Sequence, residues 1–163
     1  RRQRQMCIRD RSNLLKNKNF PWVLRAAQSK PQVMFAIAGG GSLAAEAERL
    51  GLADLPNVLY LGYVSDGAAK ALMAHCKAFL FPTLYEGFGI PPLEAAACGA
   101  PQIIVSDTPC MREVYGPCAA YIDLTTNPGD VDDVTPATAP TAALLEKYSW
   151  DKSAERLLQI LAK

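Results

Sequence analysis

Residues 78–99 contain an apolar strand, a glycine loop and a helix in immediate succession. The strand Ala78–Phe81 carries no polar side chain, and the loop that follows it holds Glu86 and two glycines. Pro91 and Pro92 then open the helix, since proline fits a first helical turn whose N–H groups lack internal partners. A strand that is apolar on both faces and continues into a helix indicates a parallel sheet covered by helices.

The rest of the sequence repeats this alternation of short apolar runs and amphipathic helices. It predicts an α/β fold with a doubly wound parallel sheet, whose ligands bind beyond the carboxyl ends of the strands. Three loops that follow strands meet this condition: Gly39–Gly41, residues 62–64 and the Glu86 loop. The remaining predicted strands are 33–38, 57–61, 102–105 and 119–122, and the predicted helices are 20–29, 43–50, 65–76, 92–98, 111–115 and 151–161.

The loop and helix place two carboxylates, Glu86 and Glu94, eight residues apart with glycines and a helix start between them. Backbone N–H groups at a helix start favour a phosphate. Each carboxylate can accept hydrogen bonds from two hydroxyls. A nucleoside diphosphate sugar has this pattern of groups, with ribose hydroxyls, two phosphates and sugar hydroxyls.

The first eleven residues are predicted to be a non-native addition. MCIRDR, at residues 6–11, is what a common transposon sequencing adapter encodes when it is read in frame. Residues 1–11 are therefore expected to have no part in the function. The alternative is a genuine basic arm that binds nucleic acid. If the first strand of the domain is missing, Met6–Arg9 either fill its place or the N-terminus is loose.

Charge and composition exclude several classes of protein. The whole chain has 17 basic and 16 acidic residues, and residues 1–11 hold five Arg and one Asp. The remainder thus has 12 basic and 15 acidic residues and no basic stripe, which argues against binding to nucleic acid. The cysteines form no C-x-x-C pair, so a reduced, cytoplasmic protein without structural zinc is expected.

Several segments resemble the retaining glycosyltransferases of the GT-B fold, glycosyl transferases group 1 type, whose two acids form an E-x7-E motif. The resemblance covers about residue 13 to the end and implies a Rossmann-like domain, one half of a GT-B fold. It rests on EGFGIPPLEAAACGAP at 86–101, LGYVSD at 61–66, FLFPTLYEGFG at 79–89, REVYG at 112–116 and YSWDKSAERLL at 148–158.

The resemblance implies a role for each matching residue. Glu86, the candidate catalytic residue, would contact hydroxyls of the donor sugar, and Glu94 would accept hydrogen bonds from the ribose. Lys18 would neutralise the diphosphate, and Val64 or its neighbour would bind the base through its main chain. Backbone amides around Gly87, Phe88, Gly89 and Ile90 would face the diphosphate and the sugar.

One departure weakens the match. Relatives usually carry Gly-Arg a few residues before the lysine, where this chain has about Ser12-Asn13. Loss of the Arg would weaken phosphate binding. The alternatives without a binding role are that Lys18 is a plain surface lysine and that Glu94 only interacts favourably with the dipole of its helix.

The predicted chemistry needs no metal cofactor. Donor cleavage develops negative charge on the leaving diphosphate, and a lysine with fixed amides acts where that charge appears. Asp130-Val131-Asp132 matches a D-x-D metal motif by letter, but helix capping explains it better. A competing interpretation is that Glu86 and Glu94 are the two catalytic carboxylates of a glycosidase. It gives the phosphate-binding helix start no function.

The sequence thus predicts residues 12–163 to be the nucleotide-sugar-binding, C-terminal domain of a glycosyltransferase. The donor would be GDP-mannose or similar, and the acceptor a glycan or a lipid-linked glycan bound by an absent N-terminal domain. The fragment alone is expected to be inactive, and the full protein to be cytoplasmic, with peripheral attachment to the membrane. The alternatives are a nucleotide-sugar epimerase and a non-catalytic nucleotide-sugar-binding module.

Overall fold

A parallel sheet runs through the centre of the protein. The computed structural model describes residues 4–9, 16–40, 43–52, 54–125, 134 and 136–162. Within these residues the sheet has six strands in the order β3-β2-β1-β4-β5-β6, and every neighbouring pair is parallel. The strands are β1 (Arg4–Arg9), β2 (Val33–Ala38), β3 (Val58–Gly62), β4 (Ala78–Phe81), β5 (Ile103–Ser106) and β6 (Ala120–Ile122).

Helices connect successive strands, and three of the helices in the described ranges begin at a side-chain cap. Ser65, Thr108 and Ser149 each accept a hydrogen bond from an amide of the first turn, which satisfies a donor that the helix itself leaves open. The helices are α1 (Phe20–Ser29), α2 (Leu43–Arg49), α3 (Asp66–His75), α4 (Ile90–Ala97), α5 (Pro109–Tyr115), α6 (Ala143–Lys147) and α7 (Trp150–Leu161).

Both faces of the sheet are covered, which confirms the doubly wound fold. Side chains alternate along each strand, so β4 sends Leu80 to the face that α1 covers. Phe79 and Phe81 point to the opposite face, where they pack with α3, α4 and α5. The uninterrupted apolar sequence of β4 follows from burial on both sides.

The central strand comes from the segment predicted to be a non-native addition. β1 (Arg4–Arg9) lies between β2 and β4, so residues 6–9 fill the first-strand position instead of leaving it empty. The origin of residues 1–11 stays a prediction.

The last helix, α7, contributes no buried side chain to the cores described above. Its apolar residues are more than half exposed, in contrast to those of α1. None of the helices in the described ranges is long and apolar enough to cross a bilayer.

Asn57 joins the end of α1 to the sheet. Its buried side-chain amide lies 2.9 Å from the carbonyl oxygen of Ala27, 3.0 Å from that of Lys30 and 2.9 Å from that of Val33. Asn57→Ala removes a buried donor that three carbonyls share, so we expect the free energy of unfolding to fall by about 2 kcal/mol. Urea denaturation measures this loss. Gln28→Ala, an exposed change on α1, is the control, and equal losses in the two variants would contradict the prediction.

Candidate functional site

The candidate site lies where the strand order reverses. β1 and β4 are neighbours in the sheet, but α1 covers one face and α4 the other. The two chain segments that leave these strands therefore diverge, which opens a crevice at the carboxyl ends of the strands. A short helical turn, Lys16–Lys18, and the Glu86 loop border this crevice.

Lys18 and Glu86 form an ion pair across the crevice. The Nζ atom of Lys18 donates to Oε1 of Glu86 at 2.7 Å, and the two side chains are only 13% and 16% exposed. Nζ also lies 5.1 Å from the centre of the Phe81 ring. Lys18 is therefore not a plain surface lysine, and the structure brings together two predicted site residues that are 68 positions apart.

Thr83 fixes the loop on which Glu86 lies. Its buried hydroxyl is 3.0 Å from Oε1 of Glu86, 3.0 Å from the carbonyl oxygen of Asn17 and 3.2 Å from that of Tyr85. The amide of Leu84 also donates to the Asn17 carbonyl at 2.7 Å. The loop after β4 is thus bonded directly to the turn that carries Lys18. Sequence reasoning assigned no role to Thr83.

The start of α4 presents backbone amides without internal partners. Gly89 precedes the helix with φ +79°, and no side chain caps it. The amides of Gly87, Phe88, Gly89 and Ile90 donate no hydrogen bond to the described residues. The helix begins at Ile90, two residues before the predicted Pro92, because the left-handed Gly89 allows the chain to turn there.

Met111 and Tyr115 of α5 pack behind this turn. A Cβ atom on Gly89 would lie 2.5 Å from Cε of Met111 and 3.5 Å from the Phe81 ring. The fully buried hydroxyl of Tyr115 donates to the Gly89 carbonyl. Burial raises the pKa of Tyr115, so the hydroxyl keeps its proton and remains a donor. Tyr115 belongs to the REVYG segment, but nothing in that segment indicates this contact across 26 residues.

Two other predicted site residues, Glu94 and Val64, lie on α4 and after β3. Glu94 is the fifth residue of α4 and is half-buried. Val64 is half-buried and follows the end of β3, which is separated from β4 by two strands. Their roles toward the ribose and the base stay predictions.

Three sequence features fall on residues outside the described ranges. They are Ser12-Asn13 in place of Gly-Arg, Gly41 at the end of its glycine loop, and the Asp130-Val131-Asp132 motif.

An apolar cleft of about 340 Å³ lies beside the start of α4. The rings of Phe88 and Tyr148 meet edge to face, with centroids 5.1 Å apart. Its lining joins the start of α4 to that of α7 and consists of Phe88, Ile90, Leu93, Tyr148, Ser149, Trp150 and Ser153.

Comparison with known proteins agrees with this fold. The model of the family described as glycosyl transferases group 1 matches residues 11–163. The solved structure of Anabaena HepE in complex with UDP-glucose superposes with a TM-score of 0.70 at 20% identity. The superposed region covers 99% of this chain and 49% of the HepE chain. At this identity the superposition shows the fold, a Rossmann-like half of a GT-B architecture.

Curated relatives share more sequence over shorter stretches. O-antigen chain mannosyltransferase B of Escherichia coli is 34% identical over 108 residues, which cover 58% of this chain and 27% of the relative. A GDP-mannose-dependent α-(1-6)-phosphatidylinositol dimannoside mannosyltransferase of Mycobacterium tuberculosis is 40% identical over 88 residues, 51% of this chain and 22% of the relative. The chain thus spans about a quarter of the length of these two relatives.

Proposed function

Because the chain belongs to the glycosyl transferases group 1 family, we propose that it is the donor-binding domain of a retaining glycosyltransferase that uses a nucleotide sugar. The observation that carries the proposal is the Lys18–Glu86 pair, which lies in a crevice bordered by the loop that opens α4. GDP-mannose or a similar donor is supported by the mannosyltransferases among the relatives. The UDP-glucose complex of HepE supports a nucleotide sugar more generally.

Negative charge develops on the diphosphate as the bond to the sugar breaks. Lys18 and the amides of residues 87–90 supply positive charge and hydrogen-bond donors at fixed positions, which stabilises the leaving group without solvent reorganisation. The domain is proposed to do this without a metal ion.

Glu86 is proposed to orient the donor sugar. Lys18 and Thr83 both lie within hydrogen-bond distance of its Oε1 atom. Within the described part of the chain no hydrogen bond reaches Oε2, so this oxygen can accept sugar hydroxyls. Glu94 would hold the ribose hydroxyls, and the main chain at Val64 would bind the base.

The rest of the reaction lies beyond this domain. The acceptor is proposed to be a glycan or a lipid-linked glycan that binds a further domain of the whole protein. The whole protein is proposed to work in the cytoplasm, with peripheral attachment to the membrane. These 163 residues alone are expected to transfer no sugar, because acceptor binding needs the other domain.

A thermal-shift screen with UDP, GDP, ADP and dTDP sugars tests the proposal. At about 100 times its Kd, the correct ligand stabilises the folded state by about 2.7 kcal/mol. For a domain of this size the melting temperature then rises by about 5–10 °C. Glu94→Ala is expected to abolish the shift because it removes the proposed ribose acceptor.

Glu48→Ala, an exposed change on α2, is the matched control and should keep the full shift. No shift with any of the four donor classes would overturn the proposed function.

A further inference from the structure

A donor in the protein core helps to set the direction of one amide at the start of α4. The Gly89 carbonyl and the Ile90 N–H belong to a single planar trans peptide, so they point in opposite directions. The Tyr115 hydroxyl, which is fully buried, donates to that carbonyl. The Ile90 N–H must therefore point away from the core, and the Ile90 side chain is 57% exposed.

Nearer in the sequence, this peptide is held by the first hydrogen bond of α4, because the carbonyl of the residue before the helix accepts from the Leu93 amide. Gly89 has no side chain and carries none of the φ restriction that other residues would impose. Pro91 and Pro92 have no N–H with which to anchor the first turn. Met111 and Phe81 limit the space beside Gly89 but donate no hydrogen bond to it. Among the described residues, the Tyr115 hydroxyl is the side-chain donor on the Gly89 carbonyl.

We propose that Tyr115 is a positioning residue for the diphosphate, acting through the Gly89–Ile90 peptide to aim the Ile90 N–H at the ligand. This inference rests on the proposed function. Without the hydroxyl, the Gly89 carbonyl keeps only the helical bond from Leu93, and the peptide can tilt about the ψ angle of Gly89, which no Cβ restricts. Diphosphate binding should then weaken, whereas contacts to the base and ribose should not change.

Tyr115→Phe tests this inference, because it removes one oxygen and keeps the ring that fills the core. Isothermal titration calorimetry gives the affinity for UDP or GDP, and ligand-observed NMR gives the affinity for the matching nucleoside. We expect Tyr115→Phe to bind the diphosphate about 10-fold more weakly, as for the loss of one hydrogen bond to a charged group. Its affinity for the nucleoside should equal that of the wild type.

Tyr121→Phe is the matched control. The Tyr121 hydroxyl also donates to a backbone carbonyl, that of Gly116 at 2.7 Å, but away from the α4 start. Tyr121→Phe should leave the affinity for UDP or GDP and the affinity for the nucleoside unchanged. Equal diphosphate affinity in wild type and Tyr115→Phe, or an equal loss for the nucleoside, would overturn the positioning role.

A measurement on the wild type covers the case in which Tyr115→Phe fails to fold. The Ile90 amide resonance of 15N-labelled protein should shift on addition of UDP or GDP, and an unmoved resonance would overturn the inference. If the wild type binds neither UDP nor GDP, the proposed function and the positioning role of Tyr115 both fail. If the wild type binds UDP or GDP and Tyr115→Phe binds it equally well, only the positioning role is overturned.

Discussion

Gly89→Ala is expected to abolish nucleoside diphosphate binding and to lower the free energy of unfolding by about 2–4 kcal/mol. The left-handed φ of +79° costs an alanine about 1–2 kcal/mol. In addition, its Cβ would lie 2.5 Å from Cε of Met111, so the methionine or the turn must move. Movement of the turn displaces the amides that are proposed to bind the diphosphate. Urea denaturation and calorimetry with UDP and GDP measure the two effects.

Gly99→Ala separates backbone strain from damage to the site. Gly99 also has a left-handed φ, +85°, but no atom lies within 4 Å of the added Cβ. It follows the other end of α4, so its substitution should cost only about 1–2 kcal/mol and leave binding intact. If Gly89→Ala binds UDP or GDP as well as Gly99→Ala does, the amides at the start of α4 are not the diphosphate site.

Removal of either partner of the Lys18–Glu86 pair is the second large effect that we expect. Lys18→Met or Glu86→Gln leaves a charge that is mostly buried without its counter-charge, at a cost of about 2–4 kcal/mol of stability. The double variant should lose less than the sum of the two, with a coupling energy of about 1–3 kcal/mol. Urea denaturation of the four proteins gives this coupling. Lys18→Met should also weaken binding of UDP or GDP.

The Asp107–Arg112 pair is the matched control for burial. Its N–O distance is also 2.7 Å, but the arginine and aspartate side chains are 56% and 40% exposed. Its coupling should therefore be below about 1 kcal/mol and should fall further in high salt, whereas the coupling of Lys18 to Glu86 should change little. Equal couplings in the two cycles would mean that water reaches Lys18 and Glu86 freely.

The sequence predicted those elements whose signal is local. β2 and β4 have the predicted bounds because each is a continuous apolar run, and α1 has them because its apolar face has helical spacing. The predicted start of α4 lies two residues after the observed one. The two prolines suggested a beginning at Pro92, whereas the left-handed Gly89 allows the helix to begin at Ile90.

The contacts that organise the candidate site could not be predicted in this way. Lys18 meets Glu86 across 68 positions and Tyr115 meets Gly89 across 26, and both pairings depend on which strands become neighbours. The contacts of Thr83 could not be predicted either, since they include the carbonyl of Asn17, which is distant in the sequence. The residue types were visible in the sequence, but the fold decides which of them share a crevice.

The order of the strands also suits a chain that folds as it leaves the ribosome. β1 emerges first, β2 adds beside it and β3 adds beside β2; growth then resumes on the other edge with β4, β5 and β6. Each newly made strand thus finds its neighbour already in place, and no earlier pair has to open to admit a later one. Assembly of this sheet can follow the direction of synthesis from one end to the other.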